Sequence, residues 1–279
     1  VNLLHVFGLT WTPVSADVPL EALWRFPTLE HFCWRIENQV REGGFALITG
    51  DPGTGKSVAL RILAAHLAQL RDVQVGVLTR PQSAIADFYR ELGQLFGVTL
   101  APHNRWAGFK ALRQRWLTHV EATRYRPVLL VDEAQEIPTP VLAELRILAS
   151  TDFDSRSILT VVLAGDARLI QQFRREELVP IASRIRVRLS LDYLAPKELL
   201  EWLQHVLEQA GNPQLMTSEL MTTLAEHAAG NLRVLATMGN ELLALAASRE
   251  IARLDQKLYL EAFTPTSRPK PRTQAPALP

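Results

Sequence analysis

The 279-residue chain is 47% hydrophobic and 21% charged, ordinary for a globular protein and enough apolar material for one large or two modest domains. A single cysteine, Cys33, excludes an intrachain disulfide framework and suits a reducing cytoplasm, the expected compartment. No apolar run approaches the roughly 18 residues of a membrane span, no charged-then-apolar leader opens the chain, and a net charge of +1 points to no partner by itself.

Residues 1–27 are rich in aromatics and prolines (Phe7, Trp11, Pro13, Pro19, Trp24, Pro27), a composition expected to pack along a domain rather than form one. Thr28 is placed to cap a helix running to about Arg41, with Phe32, Ile36 and Val40 at helical spacing on one face. Gly43 and Gly44 end it. Residues 45–49 then form a short apolar run that suits a buried parallel strand.

The next eight residues, Gly50-Asp51-Pro52-Gly53-Thr54-Gly55-Lys56-Ser57, fill every defining position of the phosphate-binding loop G-x-x-x-x-G-K-[ST]. The glycines let the backbone approach a ligand closely. The loop N–H groups and the helix N-terminus that follows, Val58 included, offer an anion aligned donors and partial positive charge. Lys56 is expected to reach the β- and γ-phosphates of a nucleotide, and the Ser57 hydroxyl to ligate Mg²⁺. Residues 58–67 read as the helix that this mechanism needs.

Further strands are expected over 73–78, 128–131, 159–164 and 186–191, the last alternating and at a sheet edge, with helices over 84–96 and 106–122. Alternation of strand and helix implies a three-layer α/β domain on a parallel five-stranded sheet, ending near residue 192. The 128–131 strand ends in Asp132-Glu133. There Asp132 is expected to hold Mg²⁺ through water, and Glu133 to polarise a water for attack on the γ-phosphate. Residues 196–210, 218–229, 232–248 and 255–263 carry helical periodicity only, so a small all-α domain follows. Residues 264–279 hold five prolines with Arg268, Lys270 and Arg272, and are expected to be a disordered tail.

One basic stretch stands out. From Arg105 to Arg126 there are six basic residues against Glu121 alone. Lys110 and Arg113 share a helix face that can neutralise DNA phosphates, while Trp106, Phe109, Trp116 and Val120 are expected to turn inward. A solvated basic face is the plainer reading of the same pattern.

Taken together, Gly50 to Ser57, then residues 128–135 (Val-Leu-Leu-Val-Asp-Glu-Ala-Gln), then an all-α end resemble an AAA+ ATPase with its lid. The resemblance implies ATP and Mg²⁺ as cofactors and hydrolysis to ADP and phosphate. It places Asp166, after Leu163-Ala164-Gly165, at the sensor-1 position, where Asn or Thr is more usual. It places Arg184 as an arginine finger acting on a neighbouring subunit, and Arg233 as the sensor-2 arginine of the lid. The implied organisation is an entry segment, 1–27, packed on an ATPase domain, 28–192, then a lid, 193–263. Within AAA+ proteins the chain is similar to the group holding ExeA-like ATPases and the transposition regulators TnsC, MuB, TniB and IstB. That implies an ATP-assembled homo-oligomer, a ring or filament, that binds duplex DNA and recruits or activates a transposase. The alternative is an ExeA-like ATPase of an export or envelope pathway, with protein partners and no DNA. A two-motor helicase is not expected, because the 87 residues after position 192 leave no room for a second α/β domain.

Overall fold

The computed structural model describes residues 3–15, 17–79, 81–100, 105–153 and 155–263; the expected tail at 264–279 lies outside these. At the centre is a five-stranded sheet of β1 (Gly44–Gly50), β2 (Val75–Leu78), β3 (Val128–Val131), β6 (Thr160–Gly165) and β7 (Ile185–Leu191). The strands run parallel in the order β2-β3-β6-β1-β7, which puts β1 between β6 and the edge strand β7. Its connections are α3 (Lys56–Ala68), α4 (Ile85–Phe96), α5 (Arg105–Thr123) and α6 (Thr139–Ala149), with α2 (Pro27–Gln39) before β1.

Side chains alternate across a strand, so a parallel sheet covered on both faces must be apolar on both. Phe45, Leu47, Leu129, Val131, Val161 and Leu163 face α4, α5 and α6, where Leu92, Trp116 and Leu142 are fully buried. Ala46, Ile48, Leu130, Val162 and Ala164 face the other way, into a core shared with Ile36 of α2 and Leu63 of α3. The strand over 73–78 is shorter than its apolar run, pairing with β3 only from Val75.

The C-terminal helices α9 (Pro196–Gln209), α10 (Ser218–Ala228), α11 (Leu232–Ser248) and α12 (Gln256–Phe263) enclose a separate core. The entry segment divides between the two units. Phe7 of the short helix α1 (Leu3–Phe7), Leu9 and Val14 join the helical core, whereas Val18, Ala22 and Leu23 join the α/β core. Its backbone is tied down on both sides: Asn212 Nδ2 donates to the Phe7 carbonyl at 2.8 Å, and Arg61 to that of Val18 at 2.9 Å. The segment is therefore a strap across both units rather than a strip along the ATPase domain alone.

Two other expectations change, and several short elements were not anticipated. Thr28 does not cap α2: the helix opens with Pro27 after an extended Phe26, using the fixed φ of proline at the first helical position. Periodicity did not separate α6, the hairpin β4 (Ser150–Thr151) and β5 (Arg156–Ser157), or the short helices α7 (Ala167–Gln172) and α8 (Val179–Ala182) from the loops around them. Trp106 is not an inward residue. It is 63% exposed, while Trp116 and Val120 on the same helix are buried and Phe109 is partly buried. No helix among the described residues is long and apolar enough to cross a membrane.

Candidate nucleotide site

The phosphate loop leaves the carboxyl end of β1 and enters α3 with Gly55 at φ 100°, a left-handed conformation that glycine adopts without strain. Gly53, at φ 89°, is required by space as well. A Cβ there would lie 2.2 Å from Asn231 Oδ1 and 3.0 Å from Arg233 Cβ, so a side chain would collide with the lid. A side chain at Gly50 would meet the Leu191 carbonyl and Thr54 Oγ1, both at 2.5 Å. The loop has the form of a backbone cradle. Lys56 is 6% exposed, and its ammonium donates to the loop carbonyls of Gly50 at 2.9 Å and Asp51 at 3.1 Å. Ser57 is exposed beside it.

β3 runs two strands away from β1, with β6 between them. Its end delivers Asp132 and Glu133 to the same edge. Glu133 takes left-handed angles (φ 49°, ψ 42°), unusual for a residue with a Cβ and characteristic of sites where geometry is enforced. Its carboxylate accepts a hydrogen bond from Gln135 Nε2. Gln135 is buried, and its own amide oxygen accepts from the Asp166 N–H at 3.3 Å, while Gln172 Nε2 donates to its backbone carbonyl at 2.7 Å. One glutamine thus ties the end of β3 to the end of β6. Sequence reasoning gave this residue no part in the site; the signal available was its place two residues after Glu133.

Asp166 caps α7, accepting from the Arg168 N–H at 2.9 Å, and forms an ion pair with Arg168, which also reaches Glu136 at 2.9 Å. Burial pushes the Asp166 carboxyl up, but hydrogen bonds and charge from Arg168, with Lys56 adding, hold it below the ordinary carboxylate value. Asp166 is accordingly an ionised acceptor near Lys56, engaged by Arg168.

The helical C-terminal part, the expected lid, borders the site at Asn231 and Arg233. Asn231 caps α11, its Oδ1 accepting from the Arg233 and Val234 N–H groups at 3.0 and 3.2 Å. Its Nδ2 donates to the Pro52 carbonyl of the phosphate loop at 3.1 Å. Arg233 is exposed and lines one cavity of about 390 Å³ with Thr54, Lys56, Ser57 and Glu133. The far wall of that cavity is apolar, built by Trp24 and Phe26 of the strap and Trp202 of the lid. A cradle for anions, a carboxylate and an apolar wall in one hollow match the chemistry of a nucleotide.

Arg184 is elsewhere. It precedes Ile185, which pairs with Phe45 at the start of β1, whereas Leu191 pairs with Gly50 at the loop. Seven residues of strand separate it from its own loop, about 20 Å. It donates to the Pro180 carbonyl at 2.6 Å. Lys110 and Arg113 of α5 differ in their surroundings. Lys110 is exposed, with its ammonium 5.0 Å from the Trp106 ring centre. Arg113 is partly buried and donates to the carbonyls of Ile147 (3.1 Å), Leu148 (3.3 Å) and Ser150, closing the end of α6. These bonds engage one end of its guanidinium, while its side chain still lines a surface hollow with Lys110 and Phe109.

Residues 39–173 match the family described as AAA domain. General secretion pathway protein A of Aeromonas hydrophila is 31% identical over 252 residues, 87% of this chain and 44% of that protein, so the chain spans less than half of this relative. Among solved structures, Cdc6p from Pyrobaculum aerophilum superposes with a TM-score of 0.69 at 12% identity, over 86% of this chain and 67% of that one. Domain III of the Thermotoga maritima replication initiation protein DnaA gives 0.61 at 19%, over 90% and 98%. At such identities the structures speak for fold alone. The fold is a P-loop AAA+ fold, with residues 39–173 matching the AAA domain and a helical C-terminal part following it.

Proposed function

We propose that this protein is an ATP-hydrolysing AAA+ ATPase of ExeA-like type, which assembles with ATP and acts on protein partners of an export or envelope pathway. The observation that carries the ATPase reading is the single cavity in which loop, β3 end and lid meet. The 31% identity to General secretion pathway protein A supports the choice of pathway.

A bound ATP with its Mg²⁺ supplies the phosphoanhydride bond to be cleaved and the charge that the loop is built to hold. Lys56 exchanges the Gly50 and Asp51 carbonyls for phosphate oxygens. Ser57 and Asp132 would hold the metal, directly or through water. Glu133, fixed by Gln135, takes the proton of the attacking water. Asp166 with Arg168 senses the state of the site at the end of β6. Arg233 reaches down from the lid, so nucleotide state and lid position are linked through the Asn231 bridge. Arg184 lies too far to serve its own site and is assigned to that of a neighbouring subunit.

Three substitutions test this. Lys56→Ala abolishes tight ATP binding, and Glu133→Gln keeps binding but stops turnover. Equal turnover in Glu133→Gln and the parent would remove Glu133 from catalysis. Arg184→Ala leaves ATP binding intact and abolishes both turnover and assembly, whereas turnover of the parent rises with protein concentration.

A second reading is an ATP-dependent DNA-binding regulator that recruits or activates a transposase. One observation favours it: exposed Trp106 stacks on Phe109 (5.5 Å between centroids, 6° between planes) beside Lys110. This is a basic aromatic surface of the kind that meets nucleic acid. Anisotropy of a labelled duplex with ATP, across a salt series, separates the readings. ATP-dependent, salt-steep binding lost in Lys110→Ala selects the transposition branch, and no binding selects protein partners.

A further inference from the structure

The end of the sheet where the strands begin, opposite the phosphate loop, gathers arginines from four separate segments. Arg41 follows α2, Arg124 and Arg126 follow α5, Arg156 lies in β5, and Arg184 and Arg186 stand at the start of β7. A hollow of about 360 Å³ is lined by Arg41, Arg124, Arg126 and Arg156 with Tyr125 and Glu121. An adjoining hollow of about 290 Å³ shares Arg41, Arg126 and Arg156 and reaches Arg184, Arg186 and Glu42.

Some of these charges have structural work. Arg126 donates to the carbonyls of Arg41, of Arg124 at 3.3 Å and of Ser157 at 3.3 Å, which stitches two helix ends to the hairpin. Arg186 pairs with Glu42 at 2.7 Å. Arg41 rests 5.7 Å from the centre of the Tyr125 ring, which orients its guanidinium. No carboxylate or carbonyl among the described residues accepts from the side chains of Arg41, Arg124 or Arg156. Burial lowers the pKa of Arg126, and the like charge of Arg156 lowers it further, against the opposing pull of Glu42.

A solvated basic face spreads its charges apart. Here they converge on a concavity that holds Glu121 and Glu42 as its carboxylates. Planar guanidinium forks match phosphate oxygens in geometry, and several together relieve their mutual repulsion only on an anion of several charges. We propose that this hollow is an anion site for a multiply charged phosphate group. The anion is either a free polyphosphate or the phosphate chain of a nucleotide carried by a second copy of this protein. It is not the nucleotide of the same chain, because the length of β7 lies between.

The test uses the full chain carrying Lys56→Ala, so that the phosphate loop is silent, and calorimetric titration with inorganic tripolyphosphate. Saturable binding that survives Lys56→Ala is expected, weakened roughly tenfold or more by adding Arg156→Ala or Arg41→Ala and partly restored by Arg156→Lys. Arg253→Ala, an exposed arginine of the helical part, is expected to change nothing. Unaltered melting curves confirm that the variants fold. Absence of saturable binding in the millimolar range overturns the proposal. So does binding indifferent to Arg156 and Arg41, or equal binding of a glutamate oligomer of matched charge. The source follows from a second arm on the chain with Lys56 intact: loss of ATP-driven assembly in Arg156→Ala assigns the phosphate to the second copy's nucleotide, and unchanged assembly assigns it to a free polyphosphate.

Discussion

Asn231 performs two tasks with the two ends of one amide, and substitution can separate them. Its oxygen caps α11, and its nitrogen bridges 179 positions of sequence to the Pro52 carbonyl of the phosphate loop. Asn231→Ala removes both, at about 1 kcal/mol for the cap and about 1 kcal/mol for the bridge. Asn231→Asp keeps the cap, since a carboxylate at a helix N-terminus accepts the same N–H groups and is favoured by the helix dipole. It loses the bridge and sets a full negative charge beside the loop. At ~8 Å and an effective dielectric of ~40, each phosphate charge then costs about 1 kcal/mol, so three of them cost about 3 kcal/mol and a triphosphate binds roughly a hundred- to two-hundredfold more weakly. Asn231→Ala, losing one hydrogen bond near the ligand, binds about fivefold more weakly. The two variants should therefore rank in opposite orders. Thermal melting without nucleotide should place the alanine variant lowest, and titration with a fluorescent ATP analogue should place the aspartate variant lowest. If both bind the analogue with parental affinity, Asn231 is only a helix cap and the lid does not communicate with the loop.

Gln135→Leu should lower ATP turnover about tenfold or more while sparing ATP affinity, because Glu133 loses its orientation and not its charge; a parental rate would refute the positioning role. Trp116→Ala should cost about 3–5 kcal/mol in urea unfolding, since the indole is fully buried edge-on to Phe96 at 5.2 Å. Cys33 should resist thiol reagents in the folded protein, because burial, partly offset by Arg25, pushes its pKa up to about 11 from 9.0. A thiol whose folded pKa is raised stabilises the fold while protonated. This contribution should be complete below pH 9 and disappear as pH rises toward 11, as a pH series of melting temperatures would show. Rapid labelling of Cys33 at pH 8 would contradict it.

The sequence by itself determined the phosphate loop, Asp132-Glu133 and the alternation that makes a parallel sheet with a helical end. These are local properties: eight consecutive residues set the backbone cradle, and a continuous apolar run of four to seven residues sets each buried strand. Tertiary structure alone decided what those pieces touch. Periodicity assigned Trp106 to the buried side of α5, yet it stands in the first turn of that helix and remains exposed, while Trp116 is enclosed with Phe96. Arg113 carries the same charge as Lys110 and shares its face, but α6 ends beside it, and three carbonyls there take its guanidinium. The Gln135 link, the Asn231 bridge and the arginine hollow each join residues from segments distant in sequence. Spacing along a chain specifies which face of an element is apolar, whereas hydrogen bonds between side chains of different elements depend on how those elements are packed, which no local pattern encodes.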